Sequence, residues 1–95
     1  MTTEPDWAGP ASALFRSLNA ETRLKILFHL LEGEKSGAEL VALTDIPKTH
    51  IGPHMARLVR DNLVSPRREG LLLFYTLTSQ KVPAMLDMAQ KLFAR

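Results

Sequence analysis

Apolar residues recur at three- and four-residue intervals along most of the chain, the spacing that puts them on one face of a helix. Ala11-Ser12-Ala13-Leu14-Phe15-Arg16-Ser17-Leu18 follows Pro10, a residue tolerated in a first helical turn because the N–H it lacks has no partner there. Asn19 ends this first helix and is equally suited to cap a second, Ala20 to Leu31. There Leu24, Ile26, Leu27, Leu30 and Leu31 fall at helical spacing, and Gly33 supplies the stop. Ser36-Gly37-Ala38-Glu39 has the form of a capping box and opens a third helix, about Gly37 to Thr44, packing Leu40 and Leu43. After the break at Asp45-Ile46-Pro47, a fourth helix sets Ile51, Met55, Leu58 and Val59 on one face. His50, Pro53, Arg57, Arg60 and Asp61 lie on the other, and Asn62 takes the left-handed terminating position.

The pattern then changes period. Leu63 to Leu77 places two β-prone runs on either side of a turn containing Gly70, which predicts a two-stranded hairpin. Ser79 opens a last helix whose Val82, Met85, Leu86, Met88, Ala89, Leu92 and Phe93 cover more than a single stripe. A surface that broad needs two neighbours, and in a chain this small one of them is expected to be another subunit. The fold class is therefore mainly α with a small β-hairpin, about five helices and a two-stranded wing. Residues 1–9 read as an N-terminal arm, and 10–95 as one domain.

Ninety-five residues leave room for one core and exclude a two-domain enzyme. The absence of cysteine removes disulfides, thiolate nucleophiles and sulfur-ligated metal sites. No apolar run approaches the ~20 residues of a membrane-spanning helix, and Met1-Thr2-Thr3-Glu4-Pro5-Asp6 is acidic where a secretory signal is basic. A cytoplasmic protein with no membrane partner is expected. Charge is unevenly spread: residues 1–47 carry four Lys/Arg against seven Asp/Glu, and residues 48–70 five against two. The basic segment holds Lys48, Arg57, Arg60, Arg67 and Arg68 with His50 and His54, a patch suited to nucleic acid.

Helix, helix, short turn, basic amphipathic helix and basic hairpin make the layout of a winged helix-turn-helix. Leu18-Asn19-Ala20-Glu21-Thr22-Arg23-Leu24-Lys25-Ile26-Leu27, His54-Met55-Ala56-Arg57-Leu58, Asn62-Leu63-Val64 and Arg67-Arg68-Glu69-Gly70 before Tyr75-Thr76-Leu77 resemble the ArsR/SmtB family of bacterial regulators. The resemblance spans about residues 12 to 93. It implies a homodimer joined through the first and last helices, with Trp7, Leu14, Phe15, Met85, Met88 and Leu92 at the seam. It also implies that the fourth helix enters the major groove of double-stranded DNA and that the hairpin lies on the backbone. Lys48, Thr49, His50 and Arg57 then approach base edges or nearby phosphates, Arg60, Arg67 and Arg68 the backbone, and His54 phosphate or solvent. The function expected is a transcriptional repressor on a pseudo-palindromic operator, and not an enzyme. The alternative is a winged-helix module that binds protein in place of DNA.

Two departures from the family bear on these expectations. Neither a Cys-x-Cys motif in the third helix nor an Asp/His set in the last is present. His50 and His54 offer only a two-ligand spacing, so no metal and no cofactor is expected. His29 reads as a partly buried structural residue. The second departure is Gly52-Pro53 inside the fourth helix, which costs about 1 and 3 kcal/mol respectively in a helix interior. Either the helix is kinked there, or it starts late with Gly52 as its cap. The effector is left open between a small apolar or anionic ligand at the dimer interface, methionine oxidation at Met85 or Met88, and none at all.

Overall fold

A computed structural model describes residues 3–95. Met1 and Thr2 of the expected arm lie outside the described residues. Five helices and three strands follow in the order α1 (Ala8–Leu18), α2 (Glu21–Leu30), β1 (Lys35–Ser36), α3 (Gly37–Thr44), α4 (Lys48–Arg60), β2 (Val64–Glu69), β3 (Leu72–Leu77) and α5 (Lys81–Phe93). The first helix starts at Ala8, two residues before the expected boundary, with Trp7 at its cap. The arm is correspondingly shorter, and Pro10 still falls in the first turn, where proline is tolerated.

The core forms where each amphipathic face turns inward. Helix α2 buries Ile26, Leu27 and Leu30, α4 buries Ile51, Met55 and Leu58, and α5 buries Val82 and Leu86, with Leu40 of α3 between them. These spacings of three and four residues are the helical repeat read from the sequence. Leu24 and Leu31, grouped with them by sequence, lie on a different, partly exposed face of the α2 segment. Asn19 does not cap α2: Ala20 holds that position without a side-chain hydrogen bond.

Helix α3 begins as the capping box requires. Ser36 Oγ accepts from the Glu39 N–H at 3.0 Å, and Glu39 Oε1 accepts from the Ser36 N–H at 2.9 Å. The Ser36 N–H bond, then the Ser36 hydroxyl, hold the Glu39 carboxyl below its ordinary pKa. Helix α4 ends in a Schellman motif: the Asn62 N–H reaches Val59 O and the Leu63 N–H reaches Leu58 O, both at 3.0 Å, with Asn62 at φ +61°.

The sheet has three strands in the order β1-β3-β2, all antiparallel, where a two-stranded hairpin was expected. Lys35 pairs with Tyr75 and Ser36 with Phe74. A two-residue strand is too short to show alternation, and its partner lies far along the chain, so nothing local announces it. The register of β2 on β3 runs from Val64↔Leu77 to Glu69↔Leu72, leaving Gly70-Leu71 as a two-residue turn with Gly70 at φ +63°. Primed two-residue turns need positive φ at their first central residue, which glycine adopts without strain. Pro66 sits in the edge strand β2, where a missing N–H is tolerated.

Candidate nucleic-acid interface

Helix α4 carries the candidate reading surface. It starts at Lys48, with the His50 and Ile51 N–H groups bonded to Pro47 O at 2.9 and 3.0 Å, and runs without interruption through Gly52-Pro53 to Arg60. A late start at Gly52 is thereby excluded. Proline has no N–H to give the carbonyl four residues earlier, so the Thr49 carbonyl lacks its helical donor. Lys48, Thr49, His50, Gly52, Pro53, Ala56 and Arg60 are exposed, while Ile51, Met55 and Leu58 fix the opposite face in the core. The N-terminal half of α4 thus presents one ammonium, one hydroxyl and one imidazole beside a surface of very small side chains.

The other cations called from sequence are placed differently. Arg67 and Arg68 are neighbours in β2 and point to opposite faces, as alternation requires. The Arg67 guanidinium grips Glu34 with two bonds, Nη2 to Oε1 at 2.8 Å and Nε to Oε2 at 3.1 Å. It also reaches Glu69 at 2.7 Å through Nη1 and stacks on the Phe74 ring at 4.6 Å. Its hydrogen bonds to Glu34, then to Glu69, push its pKa further up, and Glu34 is lowered by the same contact. Arg67 therefore ties the wing to the turn before β1. Arg68 has no ion pair or side-chain hydrogen bond among the described residues and is the unengaged cation of the wing.

His54 and Arg57 turn toward α1. Arg23 of α2, only 9 % exposed, donates Nε–H to Ser17 O at 2.6 Å and Nη2–H to Arg16 O at 3.2 Å and Asn19 O at 3.4 Å. Its Nη1 donates to His54 Nδ1 at 3.1 Å. Because a guanidinium only donates, Nδ1 must be unprotonated, and the neutral ring carries its proton on Nε2. Burial, then the Arg23 charge, then His50 hold the His54 pKa below its ordinary value. Burial and the nearby Arg57 likewise lower Arg23, against Asp61.

Alongside, Asp61 at the end of α4 accepts the Ser17 hydroxyl at 2.6 Å and Arg57 Nε–H at 2.9 Å, with Arg60 Nε 3.7 Å away. The Ser17 hydrogen bond, then Arg57, hold its carboxyl below the usual range despite partial burial. Ser17, Arg23 and Asp61 form a junction that sequence reasoning missed, since its members come from three helices and each looks unremarkable alone. The one available signal was an arginine at a position where α2 is otherwise apolar.

Among the described residues no group of three or more His, Cys, Asp or Glu side chains is placed to hold a metal ion. No helix among them is long and apolar enough to cross a membrane. His29 is half-buried, edge-on to Phe28 with ring centroids 5.3 Å apart. Of the residues expected at a dimer seam, Trp7, Phe15, Met88 and Leu92 are exposed, while Leu14 and Met85 turn partly into the core. Phe28, not singled out from sequence, and Phe93, read there as part of the broad apolar surface of the last helix, extend this apolar surface and line one cleft with Leu24 and Ala89.

A three-stranded sheet with a hairpin beside a turn-linked helix pair, the second helix exposed along its N-terminal half, defines a winged helix-turn-helix. The profile of the bacterial regulatory proteins of the arsR family matches residues 20–65. The transcriptional activator HlyU of Vibrio cholerae is 36% identical over 85 residues, 90% of this chain and 79% of that one. Its structure superposes with a TM-score of 0.86, covering 97% of this chain and all of the other. A probable mercury resistance operon repressor of Streptomyces lividans is 35% identical over 92 residues, 97% of this chain and 71% of that one. The transcriptional repressor BigR of Xylella fastidiosa, 26% identical, superposes with a TM-score of 0.90 over 94% of this chain and 91% of its own. The chain belongs to the ArsR family and is a DNA-binding transcriptional regulator.

Proposed function

We propose that this regulator acts in the cytoplasm as a homodimeric repressor on a pseudo-palindromic operator. The N-terminal half of α4 lies in the major groove and the wing follows the backbone. The observation that carries the reading is the division of the basic segment. Lys48, Thr49, His50, Arg60 and Arg68 are exposed and free or only loosely paired, whereas His54, Arg57 and Arg67 are engaged within the protein. The free set supplies the DNA contacts, the bound set holds α4 and the wing in position. With Gly52, Pro53 and Ala56 at the centre of the exposed face, few side chains there can hydrogen-bond a base edge. Sequence reading then falls on Lys48, Thr49 and His50, with phosphate contacts supplying most of the affinity.

Dimerisation through α1 and α5 is supported by Trp7 at 65 %, Phe15 at 51 %, Met88 at 52 % and Leu92 at 67 % exposure. Large apolar side chains gathered on one surface mark an association site. Two α4 helices related by a two-fold axis would meet successive major grooves about 34 Å apart. Repression is favoured because the S. lividans and X. fastidiosa relatives carry that name, although the V. cholerae relative is named an activator.

The test is a titration of a fluorescent duplex from the gene's own promoter region, with a scrambled duplex as competitor, at two salt concentrations. Salt-dependent binding that survives the competitor, two protomers per duplex, and lower reporter output with the operator in place are expected. A protein that is monomeric by light scattering and does not distinguish the two duplexes would overturn the reading.

A further inference from the structure

Where α1, the C-terminal end of α4 and the start of α5 meet, the surface folds into a cleft of about 410 Å³, within the ~300–1,000 Å³ of small-molecule sites. The grooves beside it are lined mainly by apolar residues of α1, α2 and α5, and the one formed by Trp7, Phe15 and Met85 shares Pro10, Leu14 and Lys81 with it. This cleft differs because charge converges in it. Arg16 of α1, Arg57 of α4 and Lys81 of α5 line it together with apolar Pro10, Leu14 and Leu63.

Its one carboxylate, Asp61, already accepts from the Ser17 hydroxyl and from Arg57 Nε. Because Arg57 gives Asp61 only Nε, its two terminal nitrogens have no hydrogen-bond partner among the described residues. The Lys81 ammonium has none either, and Arg16 has only the Ser12 hydroxyl at 3.0 Å. Two parallel N–H donors on a guanidinium match the two oxygens of a carboxylate. The positive end of the 13-residue helix α5, where the Ser79 hydroxyl accepts the Lys81 N–H at 3.2 Å, adds to the same field. Pro10, Leu14 and Leu63 give the same cleft an apolar wall against which the body of a ligand can rest.

We infer that this cleft binds a small organic anion, one carboxylate on a compact apolar body, and that occupancy weakens DNA binding. The carboxylate engages the end of Arg57 between Arg16 and Lys81, and the apolar body rests on Pro10, Leu14 and Leu63. Bound there, the ligand joins α1 and α5 to the terminus of α4 and brings negative charge toward the DNA-binding helix. The effect on DNA rests on the proposed interface. The binding itself does not, so it is measured first on the protein alone.

Calorimetric titration of the full chain uses benzoate and cyclohexanecarboxylate, with benzamide as a neutral isostere. It is repeated on an Arg16→Gln, Lys81→Gln double variant, both positions being exposed and remote from the core. Saturable binding of at least one carboxylate is expected, about tenfold or more weaker in the double variant, with none for benzamide. No saturable carboxylate binding, equal binding of benzamide, or an unchanged affinity in the double variant would each overturn the site. With binding established, saturating carboxylate should raise the Kd for the promoter duplex in the unsubstituted protein and not in the double variant. An unchanged Kd would overturn the regulatory half alone.

Discussion

Replacing Arg23 by methionine should cost about 3 kcal/mol of folding stability. The side chain is 9 % exposed and closes the end of α1 by donating to the carbonyls of Ser17, Arg16 and Asn19 at 2.6, 3.2 and 3.4 Å. A hydrogen bond to a charged group contributes ~1.5–3 kcal/mol, and the Ser17 bond is the one with good geometry. The Asn19 contact is too long to add much. A cation at the negative end of a helix adds ~0.3–2 kcal/mol when partly buried, and the His54 bond adds a further increment. Against these stands the desolvation of the guanidinium, which methionine does not incur, so the sum is held at about 3 kcal/mol. Methionine retains the packing of the stem, which separates lost polar contacts from a cavity. Urea denaturation followed by circular dichroism at neutral pH should show the midpoint falling by about 1–3 M at unchanged slope, given slopes of ~1–3 kcal/mol/M. A loss below about 1 kcal/mol would mean that Arg23 is merely accommodated and does not hold the junction.

His54 links this junction to pH. Its folded pKa lies below the ordinary 6.5, so the unfolded chain takes up its proton first, and stability present above pH 6.5 is lost as pH falls through the folded value. His54→Gln, which keeps an acceptor for Arg23, should remove that slice of the stability curve. It should leave the loss at lower pH from Asp61, Glu34 and Glu39, all held below their ordinary values, and an unchanged curve as pH falls below 6.5 would refute the assignment. Gly52→Ala should stabilise the protein by ~0.5–1 kcal/mol, since a Cβ there meets no atom within 4 Å. It should also weaken DNA binding by placing a methyl on the surface proposed to face the groove, and a variant with raised stability but undiminished affinity would remove Gly52 from the proposed interface. Arg68→Ala should weaken binding to all duplexes alike and reduce the salt slope by about one. Arg67→Ala should instead lower the thermal midpoint by freeing Glu34 and Glu69, and equal salt-slope changes in the two variants would contradict the division of their roles.

What was legible in the sequence is what local chemistry dictates. The Ser36–Glu39 box fixes the start of α3 because both its hydrogen bonds close within four residues. Asn62 and Gly70 mark left-handed positions because few residues accept that backbone. The missing pieces depend on partners distant in sequence. Strand β1 exists only through its pairing with Tyr75 and Phe74, and Arg67 shows its role only once Glu34 lies beside it. Charge counting placed Arg67 and Arg68 in one patch, and strand alternation separates them. Helix propensity left either a kink or a late start at Gly52-Pro53, and the late start does not occur: the helix begins at Lys48, and Ile51, Met55 and Leu58 are at most 3 % exposed. Burial of such side chains yields ~1.5–3 kcal/mol each, enough to outweigh the glycine and proline penalties together.

The same comparison explains how α4 is held. Its N-terminal half lacks one helical hydrogen bond at Pro53 and presents its polar side chains to solvent. Its C-terminal half is fastened by the Schellman turn, by Asp61 to Ser17 and by His54 to Arg23. The Asp61 link ends on the last turn of α1, and the His54 link reaches it through Arg23 of α2, which donates to Ser17 O; α1 also presents Phe15 outward. A shift of α1 at the proposed subunit seam would therefore reach α4 through these polar links as well as through packing. The end of α4 proposed to meet DNA is the one with fewer ties to the rest of the protein. A rigid base and a less constrained tip would let the helix settle into a groove while its placement on the proposed dimer stays fixed. Strengthening the tip, as Gly52→Ala would, is expected to favour stability at the expense of binding.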